Sequence, residues 1–124
     1  MSWHKLNNSE LQACRKLLML DASEAAELLG NVSVRSWQYW EAGRSPVPDD
    51  VDEAVYAAIQ RRNDLIGEYT QWQFDNDGEL LKMRYYHAFE QYAADHDGAT
   101  KLDWRIHQSA VSFVFSEGGE VELS

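Results

Sequence analysis

The sequence is poor in cysteine, proline and basic residues, and it has no long apolar run. Cys14 is the only cysteine, so no disulfide can form within the chain, and this usage is typical of a reducing compartment. The apolar runs are short, and the beginning, MSWHKLNNSE, has neither the basic region nor the apolar stretch of a signal peptide. These absences predict a cytoplasmic protein without a membrane-spanning helix.

Motifs of enzymes and of metal proteins are also missing. Phosphate-binding loops, dinucleotide fingerprints and nucleophile motifs do not occur, and the four histidines are scattered. Residues 75–78, DNDG, resemble part of a calcium loop, but Gln73 and Arg84 then stand where carboxylates are needed. Residues 95–97, DHD, lack a second pair of ligands. We therefore expect no enzymatic activity, no metal and no cofactor.

Apolar material is sufficient for a core. Hydrophobic residues make up 44% of the 124 residues, and five Trp, six Tyr and four Phe are present. A chain of this length and composition is expected to fold as one domain or as two small units that share a core.

Charge is distributed unevenly along the chain. The 11 Lys and Arg residues are outnumbered by 21 Asp and Glu residues, for a net charge of −10. Residues 1–47 carry five basic and five acidic residues, whereas residues 48–124 carry six and sixteen. A nucleic acid would be repelled by the second part and can approach only the first. This asymmetry permits DNA binding through residues 1–47.

Three short helices are predicted in residues 1–47. Ser9, with Gln12 three positions later, has the capping-box pattern of a helix start. Asp21 and Glu24 repeat this pattern before a second helix over residues 22–29, which Gly30 ends.

The third helix lies in SVRSWQYWEAGR, residues 33–44. Ser33 is its predicted N-cap, and Gly43 is expected to end it. Trp37 and Trp40, with Val32 before them, form an apolar stripe at helical spacing. We expect this stripe to be buried against the first two helices, with the polar face pointing outward.

Residues 48–124 are predicted to begin with a long helix. Pro48 suits its first turn, and apolar residues then recur at helical spacing to about Phe74. These apolar residues are Val51, Val55, Ala58, Leu65, Tyr69 and Trp72. Alternation predicts a strand in residues 81–85, followed by a helix over residues 87–95. Residues 103–117 fit either a helix or a strand, and we choose the helix.

The first part of the chain resembles a known DNA-binding family. Two short helices joined by a tight turn, the first with small residues and the second polar outside, describe a helix-turn-helix. The run AAELLG at residues 25–30, followed by VS and then WEAGR at residues 40–44, resembles the lambda-repressor-like family. Asn31 makes the turn one residue longer than the family pattern. Ala22 stands where a phosphate-contacting glutamine is often found.

A second resemblance covers nearly the whole chain. The segments ELQACRKLLMLDASEAAELLG, VSVRSWQYWEAGRSPVPDDV, RYY and WRIHQSAV resemble the second-type anti-CRISPR-associated autoregulators and their uncharacterised chromosomal relatives. This resemblance implies a mainly α fold: a helix-turn-helix bundle in residues 1–47, then a long helix and a small α+β dimerisation unit in residues 48–124. It also implies a homodimeric repressor that binds an inverted repeat in a promoter, such as its own.

On this interpretation, the outer face of the third helix contacts double-stranded DNA. Arg35 suits guanine O6 and N7, and Gln38 suits adenine N6 and N7. Val34 can meet a thymine methyl, and Tyr39 can stack on such a methyl or bond a phosphate. Phosphate contacts are assigned to the remaining members of the set: Ser33, Ser36 and Arg44, to which Arg15 or Lys16 can add.

A second interpretation stays open. The same sequence fits a protein-interaction adaptor or an antitoxin-like protein whose helix-turn-helix does not bind DNA. Its acidic part would dock a basic partner, and the near-neutral residues 1–47 agree with this alternative. Salt-dependent binding to duplex DNA that is lost in an Arg35→Ala variant would favour the repressor.

Overall fold

The computed structural model of the chain describes residues 4–124, which contain six α-helices, one π-helical segment and two strands. The chain folds into two compact units: unit 1 is Met1–Ile59 and unit 2 is Gln60–Ser124. This structural division falls inside the long helix α4 (Asp49–Asp75), whereas the functional division predicted after residue 47 precedes that helix. Along residues 4–124, no helix is both long and apolar enough to span a membrane.

Helix α1 (Asn8–Leu17) opens unit 1, and the prediction that Ser9 caps it is wrong. The N-cap is Asn7, whose side chain accepts the Glu10 N–H at 2.8 Å, while the Glu10 carboxylate accepts the Asn7 N–H at 2.9 Å. Asn caps a helix as well as Ser does, and Glu adds a negative charge near the positive end of the helix dipole. The Asn7–Glu10 capping box therefore prevails over Ser9–Gln12.

The second helix starts as predicted but does not stay α-helical. Asp21 and Glu24 form the expected capping box ahead of α2 (Ala22–Ala25). The chain continues as a π-helical segment (Ala26–Gly30) and then turns at Asn31, which has a left-handed φ of 51°. A π-turn holds one residue more than an α-turn. The segment therefore fits one residue more before the turn than an α-helical ending would.

Helix α3 (Val34–Glu41) is capped by Ser33 and supplies the two buried tryptophans, as predicted. Trp37 and Trp40 meet edge to face, with ring centroids 5.5 Å apart. A Cβ at Gly30 would lie 3.2 and 3.3 Å from carbons of these rings, so a glycine is needed there for close approach. The prediction that Val32 is buried is wrong: it is 36% exposed, although its Cγ2 would lie 3.0 Å from a Cβ at Gly30.

Substitution of Met19 is the first testable consequence of this fold. Met19 follows α1 with a φ of 62°, and Leu20 N–H bonds back to the Arg15 carbonyl at 3.1 Å, which is a glycine-type helix ending. A left-handed residue with a Cβ costs about 1–2 kcal/mol. Because the flexibility of glycine in the unfolded chain offsets part of this gain, the free energy of unfolding of Met19→Gly should exceed that of Met19→Ala by about 0.5–1 kcal/mol. Urea unfolding would measure it.

The control for that substitution is Met19→Ala, which shortens the side chain but keeps the Cβ. Met19 is 36% exposed, so most of its surface is buried, but both variants lose a similar amount of this apolar burial and the loss cancels when they are compared. Equal stability of the glycine and alanine variants would contradict the role assigned to the left-handed backbone.

Unit 2 is built around a small parallel sheet. After the end of α4 come β1 (Leu81–Met83), α5 (Phe89–Asp95), α6 (Lys101–Ser116) and β2 (Val121–Leu123). Strand β1 and the helices over residues 87–95 and 103–117 were predicted, whereas β2 was not. The strands pair in parallel, with Leu81 opposite Val121 and Met83 opposite Leu123. The protein is thus mainly α-helical, with one two-stranded sheet among the described residues.

The core of unit 2 lies between the sheet and α6. Leu81 and Met83 from β1 pack with Val111 and Val114 from α6. The predicted stripe on α4 is buried only in part: Trp72, at its far end, is 36% exposed. Arg62, which interrupts the stripe, is buried and not a surface residue.

Arg62 is held by polar and aromatic groups of unit 2. Its Nε donates to the Ser109 hydroxyl at 2.7 Å, its Nη1 donates to the Asn63 side chain at 3.0 Å, and the guanidinium lies 5.2 Å from the Phe113 ring centroid. Burial lowers the pKa of Arg62 from its ordinary value. These bonds explain how a cation is tolerated within an apolar stripe.

Candidate nucleic-acid interface

The outer face of α3 and the turn after it carry the residues predicted to contact DNA. Trp37 and Trp40 point into unit 1, so the positions between and beside them face outward. The exposed members of the predicted set are Ser33, Val34, Arg35, Gln38 and Arg44, and the half-buried members are Ser36 and Tyr39.

The two serines first serve the helix. The Ser33 hydroxyl accepts the Ser36 N–H at 3.2 Å and donates to the Ser36 hydroxyl at the same distance. An N-cap of this kind stabilises a helix by about 1 kcal/mol. Ser33 therefore has a structural role as a helix cap, whether or not it also contacts a ligand. Val34, directly after the cap, is 40% exposed and presents an apolar side chain at the start of α3.

Three side chains on this face form what we call the arginine–tyrosine cluster: Arg35, Tyr39 and Arg44. The Arg35 Nε donates to the Tyr39 hydroxyl at 2.8 Å. Both guanidinium carbons lie 5.5 Å from the Tyr39 ring centroid. These distances are within the range of cation–π attraction. The cluster brings two positive charges together beside one aromatic ring.

The helix ending places Arg44 in this cluster. Gly43 has a φ of 74°, which only glycine adopts freely, and Arg44 N–H then donates to the Tyr39 carbonyl at 2.9 Å. The chain therefore folds back at the end of α3, and the Arg44 side chain approaches the Tyr39 ring.

Cations of unit 1 fall into two groups. Lys5 contacts Asp49 and Asp52, and Arg15 pairs with Glu41. In the described part of unit 1, Arg35, Arg44 and Lys16 form no ion pair with a carboxylate. The charges of these three residues are therefore available to an anion from outside, and two of them are in the arginine–tyrosine cluster.

Arg15 and Glu41 link α1 to α3 instead. The Arg15 Nε and Nη2 donate to the two Glu41 oxygens at 2.7 and 3.0 Å, and Nη1 donates to the Leu20 carbonyl at 3.0 Å. The Trp37 indole N–H also donates to Glu41. Both charged side chains are mostly buried, with exposures of 13% and 9%. This pairing makes Arg15 a structural residue and leaves Lys16 as the additional candidate for a phosphate contact.

The titration of this pair follows from its bonds. Burial raises the pKa of Glu41, but hydrogen bonds from Arg15 and Trp37 outweigh it and hold the pKa below the ordinary value. The bond to Glu41 raises the pKa of Arg15. The role of Glu41 was not predicted from the sequence, although its position four residues after Trp37 places the two side chains on one helix face. The partner Arg15, 26 residues away, carries no comparable local signal.

These features define a small, mainly helical protein that presents a polar, cationic face on a short helix of unit 1. The Aca2/YdiL-like family matches residues 6–123, and the chain belongs to this family. It is similar to the Aca2 repressor of Pectobacterium phage ZF40, with 45% identity over 113 residues that cover 91% of this chain and 96% of that protein. It is also similar to the uncharacterized protein YdiL of Escherichia coli (strain K12), with 25% identity over 112 residues, or 90% and 94% of the two chains. The predicted resemblance to the second-type anti-CRISPR-associated autoregulators and their chromosomal relatives is thereby confirmed at the level of the family.

Proposed function

We propose that the protein is a transcriptional regulator that binds double-stranded DNA sequence-specifically. In this proposal α2, the π-helical segment and α3 form a helix-turn-helix, and α3 enters the major groove. The observation that carries the proposal is the arginine–tyrosine cluster on the exposed face of α3, with two cations that no carboxylate in the described part of unit 1 neutralises. Similarity over nearly the full length to a phage protein named as a repressor supports it.

The side chains of α3 divide by their chemistry. Arg35 and Gln38 carry paired polar groups that match guanine and adenine edges in the major groove, and Val34 suits a thymine methyl. Ser33, Ser36 and Arg44 suit phosphate oxygens, which position the protein without reading sequence.

Two copies of the protein would bind an inverted repeat. An eight-residue helix reads too few base pairs for useful specificity, and a second copy on a half-site one turn away overcomes this. Unit 2 supplies a surface for the dimer contact, because large apolar side chains are exposed on it. These are Trp72, Phe74, Leu80, Phe113 and Phe115. The acidic excess of residues 48–124 would keep that region away from the DNA.

The test is a selection from a random duplex library, followed by fluorescence anisotropy on the enriched sequence at two salt concentrations. Arg35→Ala is expected to weaken binding by about 5- to 150-fold per half-site, the value of one bidentate base contact. The matched control is Lys101→Ala, which removes one positive charge from an exposed position of unit 2 and should leave affinity nearly unchanged. Absence of an enriched sequence would overturn the regulator and favour an acidic adaptor.

A further inference from the structure

The Tyr39 side chain contacts both arginines of the cluster, and this arrangement limits what its hydroxyl can do. Tyr39 and Arg35 are four residues apart on α3, so their side chains are neighbours on one helix face. The hydroxyl oxygen accepts the Arg35 Nε–H at 2.8 Å, while the ring lies beside the guanidinium. Arg35 is thus held by a hydrogen bond and by the aromatic ring at once.

The bond at Nε decides which edge of Arg35 remains available. A guanidinium can bind two acceptors either through Nε and one Nη or through both Nη groups. Since Nε is occupied, the edge formed by Nη1 and Nη2 is left, and the structure gives these two atoms no hydrogen-bond partner within residues 4–124. Guanine O6 and N7 need two parallel donors of this kind.

Arg44 is held beside Tyr39 by its backbone and by the aromatic ring, and not by a bond to the hydroxyl. Its backbone N–H bonds the Tyr39 carbonyl at 2.9 Å, and its guanidinium carbon lies 5.5 Å from the same ring. Two guanidinium groups repel each other, and the electron-rich face of the ring between helix and turn offsets that repulsion for both. Tyr39 therefore connects the residue assigned to base reading with the residue assigned to the phosphate backbone.

We infer that Tyr39 is a positioning residue for sequence reading, a role that rests on the proposed function. Its hydroxyl holds Arg35 by Nε and presents the Nη1–Nη2 edge to a guanine. An unrestrained arginine samples many rotamers, and ordering it on DNA costs conformational entropy. Tyr39 removes part of that cost before DNA binds, so it acts through Arg35 and not through its own contact to a base.

A double-mutant cycle separates these roles. Wild type, Tyr39→Phe, Arg35→Ala and the double variant are measured on the selected sequence and on the same sequence with the base pair read by Arg35 exchanged. That base pair is identified beforehand: its exchange weakens the binding of wild type but does not change the affinity of Arg35→Ala. Tyr39→Phe keeps the ring and removes the hydroxyl. The expected result is a loss of discrimination at this base pair on the order of 2- to 12-fold, the value of one hydrogen bond, with the salt slope unchanged.

In the Arg35→Ala background, Tyr39→Phe should have no further effect. Any loss of stability caused by Tyr39→Phe is present in both backgrounds and cancels in the cycle. The matched control is Tyr56→Phe, which removes a hydroxyl that donates to the His4 carbonyl at 2.6 Å elsewhere in unit 1. This control should leave discrimination at every base pair as in wild type.

Three outcomes would overturn the inference. An equal loss of affinity for the selected sequence on Tyr39→Phe in both backgrounds would show that the hydroxyl acts independently of Arg35. Unchanged discrimination by Tyr39→Phe would show that Arg35 needs no positioning. A wild-type protein without preference for any DNA sequence would overturn the proposed function itself, and the inference with it; this last outcome is recognised from wild type alone.

Discussion

Replacing Glu41 with alanine is expected to lower the free energy of unfolding of unit 1 by about 3–5 kcal/mol, the cost of removing one partner of a buried ion pair. Glu41 accepts two hydrogen bonds from Arg15 and one from the Trp37 indole, and its side chain is 9% exposed. Its removal leaves a guanidinium and an indole N–H without their acceptor. Denaturant unfolding, with hydrogen exchange of α1 and α3 amides to report on unit 1, would measure the loss.

The control is the double variant Arg15→Met with Glu41→Leu. It removes both charges, so no buried charge is left unpaired, and it should be less destabilised than the sum of Arg15→Met and Glu41→Leu measured singly. The Trp37 N–H still loses its acceptor, so recovery should be incomplete. A cost below about 1 kcal/mol for Glu41→Ala, typical of an exposed pair, would contradict the structural role assigned to Glu41.

The same residue gives a pH dependence with a defined sign. The pKa of Glu41 is lower in the folded protein than its ordinary value of 4.5. Above pH 4.5 the stabilisation by the ionised carboxylate is fully present, and it is lost as the pH falls through the folded-state pKa, because the unfolded chain binds the proton more readily. A Glu41→Gln variant lacks this contribution, so its stability should fall less steeply in acid than that of wild type.

Replacing Trp37 with alanine is expected to lower the free energy of unfolding by about 3–5 kcal/mol, the usual cost for a large aromatic residue in a core. Trp37 is fully buried, meets Trp40 edge to face and lies against Gly30. The cavity would open directly beneath the outer face of α3, so the proposed DNA binding should weaken together with stability. Unfolding in guanidinium chloride, followed by far-ultraviolet circular dichroism, would measure the stability.

Trp72→Ala is the matched control, since Trp72 is 36% exposed and lies in unit 2. It removes the same atoms from a position where less of the side chain is buried, so its loss of unfolding free energy should be well below that of Trp37→Ala. Equal costs for the two substitutions would contradict the packing described for α3. The combined variant of Trp37 and Glu41 should not be additive, because the two side chains share a hydrogen bond.

Local chemistry explains which elements could be predicted. Asp21 with Glu24, and Ser33 ahead of α3, satisfy the first N–H groups of their helices within four residues, so the boundaries of these helices follow from neighbouring residues alone. Trp37 and Trp40 are three residues apart on one helix and had to share its buried face. The exposed position of Arg35 and Gln38 follows from the same periodicity.

Competition between similar local signals explains the errors near the chain start. Asn7–Glu10 and Ser9–Gln12 offer two capping boxes in overlapping positions, and only the folded helix shows which is used. The π-helical segment is similar: AAELLG has no residue that demands a π-turn, and the requirement to bring Gly30 against two indole rings arises only in the packed unit.

Four features follow from the amino-acid order alone: the caps at Asp21 and Ser33, the buried tryptophans, the exposed polar face of α3 and the uneven charge. The first three depend on residues a few positions apart, and the last is a count along the chain. Three contacts required the folded protein: the Arg15–Glu41 pair, the parallel pairing of β1 with β2 and the contact of Arg44 with Tyr39. The first two join residues far apart in the chain, and the third depends on the left-handed turn at Gly43. The first two form when packing closes the chain on itself, and no local pattern specifies their partners.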